Sequence, residues 1–140
     1  MIAHVWSVLC ARSIVDRDSN NISLLDVIEQ LNLAIVELPA IIPAQFELVT
    51  LWTRADNDMP AIGRGRVRYL CPTNELLAQI EHAIDHSDYR RTRQRSGLVG
   101  LPISGFGRHS LHVELQVAED GEWTEVANLP LEVIAQEQPN

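Results

Sequence analysis

The chain has 140 residues, a formal net charge of −8 and 11 basic residues, all of them arginine. This length suits one domain with a core large enough to fold without a metal or a disulfide. The apolar fraction of 46% is that of a globular protein. The negative excess argues against non-specific binding to nucleic acid or anionic membranes unless the positive charges gather on one face.

The N-terminal residues show neither a secretion signal nor a membrane-spanning run. The first six residues contain no basic region, and Arg12 and Asp16 come before any long apolar stretch forms. Cys10 and Cys71 lie far apart in the sequence and form no CxxC pair. We therefore expect a cytoplasmic protein with reduced thiols and no membrane contact. A disulfide between the two cysteines stays open as the alternative, because both lie in strand-like segments.

The first elements in chain order alternate with a period of two, which is typical of β-strands. Residues 4–12 form the first of them, and a polar turn follows at 17–21. Residues 22–33 are rich in Ile, Leu and Val and predict a second strand that forms a hairpin with the first. Two prolines in 38–43 then indicate a crossing at a sheet edge or between sheets, because proline donates no backbone hydrogen bond.

The middle of the chain continues in strands, with one ambiguous segment. Residues 46–54 alternate cleanly before a turn at 56–60, and residues 63–70 alternate small or apolar side chains with arginines. Residues 76–85 fit a helical face slightly better than a strand, with Thr73 or Asn74 as a possible N-cap. Strand alternation fits the same residues, so both interpretations stay open.

The last third predicts further strands. Residues 89–103 alternate first arginines and then apolar residues, and residues 110–118 give the clearest strand, with Val117 among its inward side chains. The Asp-Gly pair in 119–121 suits a hairpin turn, since both residues tolerate positive φ angles. Residues 123–135 return as one bent strand or as two short ones broken at a proline.

These patterns together predict one all-β domain. Seven or eight antiparallel strands separated by turn signals, with at most one short helix, are typical of a β-sandwich. The domain is expected to span residues 1–135, and the tail at 136–140 to fray. Trp6, Trp52 and Trp123 are interpreted as core or edge packing, and two of them exposed on one face would mark an interface.

Short stretches near both ends of the chain resemble a family of small bacterial proteins of uncharacterised function. They are residues 100–103, 107–115, 120–121 and 129–133 in the last third, and residues 21–28, Pro43 and Phe46 in the first. The resemblance implies an immunoglobulin-like β-sandwich and brings no activity, cofactor or catalytic residue with it. It also favours a strand at 76–85, because a turn such as 72–75 commonly opens a hairpin, although this turn lacks the expected glycine.

Arginine is concentrated in two short stretches. They contain Arg64, Arg66 and Arg68, and then Arg90, Arg91, Arg93 and Arg95. Alternation puts three arginines of each stretch on one face of its strand, and if the two strands were neighbours these side chains would form a basic face suited to phosphate or carboxylate groups. The favoured alternative is cross-strand pairing on a solvated sheet face, which contributes less than about 1 kcal/mol per pair. The acids available for such pairs include Glu81, Asp85, Glu114 and Glu132.

No metal or catalytic constellation stands out from the sequence. His82 and His86 would share one face of a helix, but on a strand they would lie about 13 Å apart, too far to hold one ion. His109 and His112 would point to opposite faces of a strand, and no cysteine pair or carboxylate completes a tetrahedral set. Ser104 lacks the preceding glycine of a nucleophile elbow. We therefore predict no cofactor, no metal and no enzymatic activity.

The function that fits these observations is a non-enzymatic binding or assembly module. Its partner would be a second copy, in a homodimer formed through an edge strand or an exposed aromatic face, or another protein. The alternative is a small-anion or ligand-binding protein whose site is the arginine face. That face would consist of Arg64, Arg66, Arg68, Arg91, Arg93 and Arg95. Nucleic acid is disfavoured as a partner, because only Tyr69 and Tyr89 supply aromatic rings near the arginines.

Overall fold

The computed structural model describes residues 1–34, 37–56, 61–119 and 121–136. Nine β-strands follow one another in these ranges. They are β1 (Ile2–Val15), β2 (Ile22–Val27), β3 (Gln30–Leu33), β4 (Ala40–Arg54), β5 (Ile62–Leu70), β6 (Leu76–Asp85), β7 (Arg91–Ile103), β8 (Gly107–Gln116) and β9 (Thr124–Ala135). The described residues contain no helix, and therefore none that is long and apolar enough to cross a membrane.

The nine strands form two sheets. Sheet A has four strands in the order β2-β1-β4-β7, and sheet B has five in the order β3-β9-β8-β5-β6. Neighbouring strands are antiparallel except for β3 and β9, which run parallel. The edge strands are therefore β2 and β7 in sheet A, and β3 and β6 in sheet B. The expected all-β fold is confirmed, with nine strands where seven or eight were predicted.

The hydrophobic core lies between the inward faces of the two sheets. Sheet A contributes Leu48 and Trp52 from β4, and sheet B contributes Tyr69 from β5 and Leu111 from β8. Trp52 is completely buried. Burying one large apolar side chain contributes about 1.5–3 kcal/mol, so this shared cluster holds the two sheets face to face. The opposite face of each sheet is left to carry the polar and charged residues.

Residues 76–85 form strand β6, which pairs with β5 along its length. The slight preference of the periodicity for a helix is wrong, and the strand favoured by the resemblance is correct. The turn before β6 needs no glycine because Asn74 takes the left-handed position, with φ of 64°. Asparagine tolerates this region better than most residues. The Asn74 N–H donates to the carbonyl oxygen of Cys71 at 2.9 Å, which closes the turn.

Residues 22–33 do not form one strand. β2 pairs with β1 in the expected hairpin, but Asp26 has a positive φ of 53°, and after Val27 the chain leaves sheet A. β3 then adds to β9 in sheet B. This crossing between sheets accounts for one strand beyond the predicted number, and it produces the parallel pair.

The two prolines of 38–43 have different positions. Pro39 precedes β4, between β3 of sheet B and β4 of sheet A in the chain, as the predicted crossing requires, whereas Pro43 lies inside a strand. Pro43 lies in β4 where the register with β7 shifts, between Ile42 and Gln45, and β1 pairs with β4 only as far as Glu47. Pro43 is therefore at a locally free edge, where a missing donor is tolerated. β9 likewise continues through its proline, because β3 pairs with it only from Glu132 onward.

Two predictions near chain turns are corrected or untested. Val117 was placed inward, but β8 ends at Gln116 and the Val117 side chain is exposed. The turn at 119–121 includes Asp120, which lies outside the described residues, as do 57–60 of the predicted turn at 56–60 and 137–140 of the predicted tail.

Candidate functional site

The two arginine stretches lie on different sheets. Arg64, Arg66 and Arg68 are on β5 in sheet B, whereas Arg91, Arg93 and Arg95 are on β7 in sheet A. Within each strand the three side chains share the outward face, as the alternation predicts. The two strands are not neighbours, so the single face of six arginines does not form. The two groups therefore belong to two separate surfaces.

The arginines of β5 are neutralised by acids on the neighbouring strands. Arg64 pairs with Glu81 on β6 at 3.1 Å, and Arg68 pairs with Glu114 on β8 at 3.6 Å. Arg66 makes a forked contact with the same Glu114, its Nε lying 2.7 Å from Oε2. The guanidinium of Arg66 also stacks on the ring of Trp123 at 4.2 Å. This is the cross-strand pairing expected of a solvated sheet face.

The arginines of β7 have no such partners. Among the described residues, none of Arg91, Arg93 and Arg95 forms an ion pair. Arg93 donates to the side-chain oxygen of Asn20 at 2.9 Å and to the Asn20 main-chain oxygen. Arg95 lies 3.4 Å from the Ser13 hydroxyl, which itself donates to Glu47. In the described part of the chain, no carboxylate therefore lies within ion-pair distance of these three arginines.

These arginines line a groove on the outward face of sheet A. The hairpin of β1 and β2 bends over this face, which brings Ser13 and Asn20 to β7. The groove encloses about 530 Å³. Its floor includes Trp6 and Leu51, and its wall on the hairpin side includes Val15, Asn20, Asn21 and Ile22. The groove thus combines an apolar floor with the hydrogen-bond donors of the arginines along one side. Its volume lies within the range of about 300–1,000 Å³ that is typical of small-molecule sites.

The histidines do not assemble a metal centre. His82 and His86 lie on β6 and directly after it, where His82 contacts Trp52 and His86 meets Thr92 Oγ1 at 2.9 Å. No group of three or more potential ligands among His, Cys, Asp and Glu is found in the described residues. Burial lowers the pKa of both histidines below the usual 6.5. Burial therefore favours the neutral form of both side chains.

The other two histidines of the sequence analysis also have structural partners. His109 is buried and stacks on Tyr69 with ring centroids 5.7 Å apart. His112 points to the outward face of sheet B, where it contacts Ser110 at 2.9 Å and also Glu125. The two side chains thus point to opposite faces of β8, as the spacing predicts.

The cysteines and tryptophans have different surroundings. Cys10 and Cys71 are both free and buried, so the disulfide alternative is not realised.

Trp52 belongs to the core, as expected, while Trp6 lines the arginine groove and Trp123 covers Arg66. Trp6 and Trp123 lie on different sheet faces, so they do not form one exposed aromatic surface.

Comparison with known proteins adds no family. No protein-family model, curated protein or solved structure matches the chain. The candidate site therefore rests on the geometry alone. It consists of Arg91, Arg93 and Arg95, which we call the β7 arginine row, and of the groove beside them.

Sequence reasoning found the arginines of this site but missed the groove. Trp6, Asn20 and Leu51 come from three separate segments, and nothing in the sequence links these residues to the arginines. A local period shows which residues share a face of their own strand. It carries no signal for a hairpin that bends over the face of a sheet.

Proposed function

We propose that the chain is a non-enzymatic binding module and that its β7 arginine row holds an anionic group presented by a ligand or partner. The observation that carries this proposal is the contrast between the two arginine groups of the same chain. Every arginine of β5 has a carboxylate partner. Among the described residues, Arg93 and Arg95 contact only neutral groups, and Arg91 forms no ion pair.

The geometry of the row favours carboxylates or phosphates. Alternate residues of a strand lie about 7 Å apart, so neighbouring guanidinium groups of the row repel one another when no anion lies between them. An anion with two or more oxygens relieves this repulsion, because a guanidinium offers a planar fork of N–H donors. The apolar floor formed by Trp6 and Leu51 lowers the local dielectric, which strengthens the interaction.

The proposal predicts that inorganic phosphate and citrate raise the melting temperature of the protein. A ligand that binds only the folded state stabilises it by mass action, by about 2.7 kcal/mol at one hundred times its Kd. The double variant Arg93→Gln/Arg95→Gln should lose most of this rise, because it removes two of the three charges. The measurement is thermal unfolding at constant ionic strength, with chloride as the reference anion.

A matched control is available on the other sheet. Arg64→Gln/Arg108→Gln also removes two exposed positive charges, but both arginines already face acids, Glu81 and Glu132. This control should keep the full rise with phosphate. Equal rises in the wild type, the β7 variant and the control would show that the anions act non-specifically, and would contradict the proposed site.

The immunoglobulin-like classification and the cytoplasmic setting belong to the same proposal. Two packed sheets, with chain crossings from one to the other, support a sandwich of this type. Two buried free thiols fit a reducing compartment, because disulfides form and persist mainly in oxidising ones.

A further inference from the structure

Strands β6 and β7 are free edges on the same flank of the molecule. Within the described ranges, β7 pairs only with β4 and β6 only with β5. At one end of the flank, His86 directly after β6 lies 2.9 Å from Thr92 at the start of β7. At the other end, Leu77 of β6 and Ile103 of β7 line one cavity of about 450 Å³. The two edges therefore run side by side over most of their length.

Opposite charges face outward on these two edges. β7 carries the arginine row, and the outward face of β6 carries Glu81 and Asp85, which alternate with inward residues such as Ile84. Glu81 contacts Arg64, and Asp85 accepts the main-chain N–H of Ser87. Each carboxylate oxygen has two lone pairs, so both side chains can accept further hydrogen bonds.

We propose that this flank joins two copies of the chain in a homodimer, with β7 of each copy pairing with β6 of the other. The inference rests on the proposed function, and it names the carboxylates of a second copy as the anions that the β7 arginine row holds. Backbone groups on a free strand edge are a ready template for such pairing.

A two-fold axis parallel to the strands produces this arrangement. Rotation about such an axis exchanges the two layers, so sheet A of one copy continues into sheet B of the other. The outward faces of both sheets still point outward after the rotation. β6 and β7 are consecutive strands that run in opposite directions along the flank, so the new pairs are antiparallel. The contact is closed and self-complementary, as two-fold interfaces are.

The same rotation determines which charged residues face each other across the interface, because it leaves the position of each residue along the strand direction unchanged. Asp85 ends β6 where Arg91 begins β7, so Asp85 of the second copy lies opposite Arg91. Four residues further from this end, Glu81 of the second copy lies opposite Arg95. The 85% exposed side chain of Val99 lies further along the outward face of β7, where the added strand shields it from water.

Charge exchange tests this pairing. We expect light scattering to give a dimer for the wild type, and monomers for two variants measured separately. One is Arg91→Glu/Arg95→Glu, and the other is Glu81→Arg/Asp85→Arg. In each variant both new pairs place like charges opposite each other. Mixing the two variants should restore a dimer with one chain of each kind. In this dimer, one strand pair places the new glutamates on β7 opposite the new arginines on β6. The other strand pair joins the unchanged charges of the two chains.

The controls show whether the charges of this flank hold the dimer together. Arg108→Glu, a charge reversal away from the flank, should remain dimeric like the wild type. Circular dichroism checks that each variant is folded. If the substitutions on β6 unfold the chain, Glu81→Gln/Asp85→Asn removes the charges without adding repulsion and should raise the dissociation constant about tenfold or more, since each 1.4 kcal/mol of lost interaction is a factor of ten.

Three outcomes would overturn the inference. A wild type that is monomeric at all accessible concentrations excludes the dimer. Dimers that persist in both variants place the interface elsewhere. Two monomeric variants that do not combine on mixing show that the charges of β6 and β7 do not face each other across the interface. In all three cases a specific rise in melting temperature with phosphate would leave the proposed function standing, and its absence would contradict that function separately.

Discussion

Replacing Gly63 by alanine is expected to lower the free energy of unfolding by about 1–3 kcal/mol. Gly63 is a buried residue of β5, and a Cβ atom at this position would lie 2.8 Å from the main-chain oxygen of Gln116 and 2.9 Å from Ile2 Cδ1. The first of these atoms belongs to the backbone of the neighbouring strand β8, so no side-chain rotation relieves the clash. The added methyl group must push β5 away from β8 and displace Ile2 from the core.

Urea unfolding measures this effect, and Gly97→Ala is the matched control. Gly97 also lies in a strand, but a Cβ atom there meets no atom within 4 Å. Alanine at that position should leave the stability unchanged or raise it by up to about 1 kcal/mol, because it restricts the unfolded chain. If Gly63→Ala were as stable as Gly97→Ala, the close approach of β5 to β8 would not exist in solution.

The sequence predicted single strands better than it predicted their arrangement. Period-two alternation found the central parts of β4 and β8, because each strand has one face on the core, but it began both strands too late and ended β8 too late. It failed at 22–33, where Ile, Leu and Val residues recur on both sides of the crossing from sheet A to sheet B. Asp26 adopts its positive φ there without a glycine or proline to signal a break.

For the candidate site, too, the sequence predicted features of single strands but not the contacts between strands. The sequence placed the arginines of each stretch on one face of its strand, and both groups indeed face outward. Which acids they would meet depended on sheet order, which long-range pairing determines. β5 lies between β6 and β8, so it meets Glu81 and Glu114. β7 is an edge strand beside β4, whose residues Val49 and Leu51, paired with Arg95 and Arg93, carry no charge.

Lowering the pH from about 7 to about 5 is expected to destabilise the protein, within the range where ordinary histidines titrate. Burial lowers the pKa of His4, His82, His86 and His109 below the usual 6.5. For His86 the nearby Arg54 lowers the pKa further, and Asp85 opposes the shift. All four side chains are therefore neutral in the folded protein at pH values where an unfolded chain would begin to protonate them.

The sign of the effect follows from proton binding. As the pH falls below 6.5, the histidines of the unfolded chain take up protons before those of the folded protein do. The unfolded state is then favoured, and the stability that is fully present above pH 6.5 decreases. Each unit of pKa difference at one site contributes about 1.4 kcal/mol. The pKa values of Asp16 and Asp85 are lowered from 3.8 by hydrogen bonds from Ser19 and Ser87, so their contribution is lost only in more acidic solution.

Urea unfolding at a series of pH values and one protein concentration measures the decrease, and His109→Phe tests its cause. Phenylalanine keeps a ring against Tyr69 and removes both the titrating group and a buried Nε2 atom for which the described protein atoms offer no hydrogen-bond partner. The variant should lose less stability between about pH 7 and about pH 5 than the wild type does. Its stability at about pH 8, where these histidines are neutral in both states, isolates the change in packing. An equally steep decrease in wild type and variant would show that His109 is not among the groups responsible.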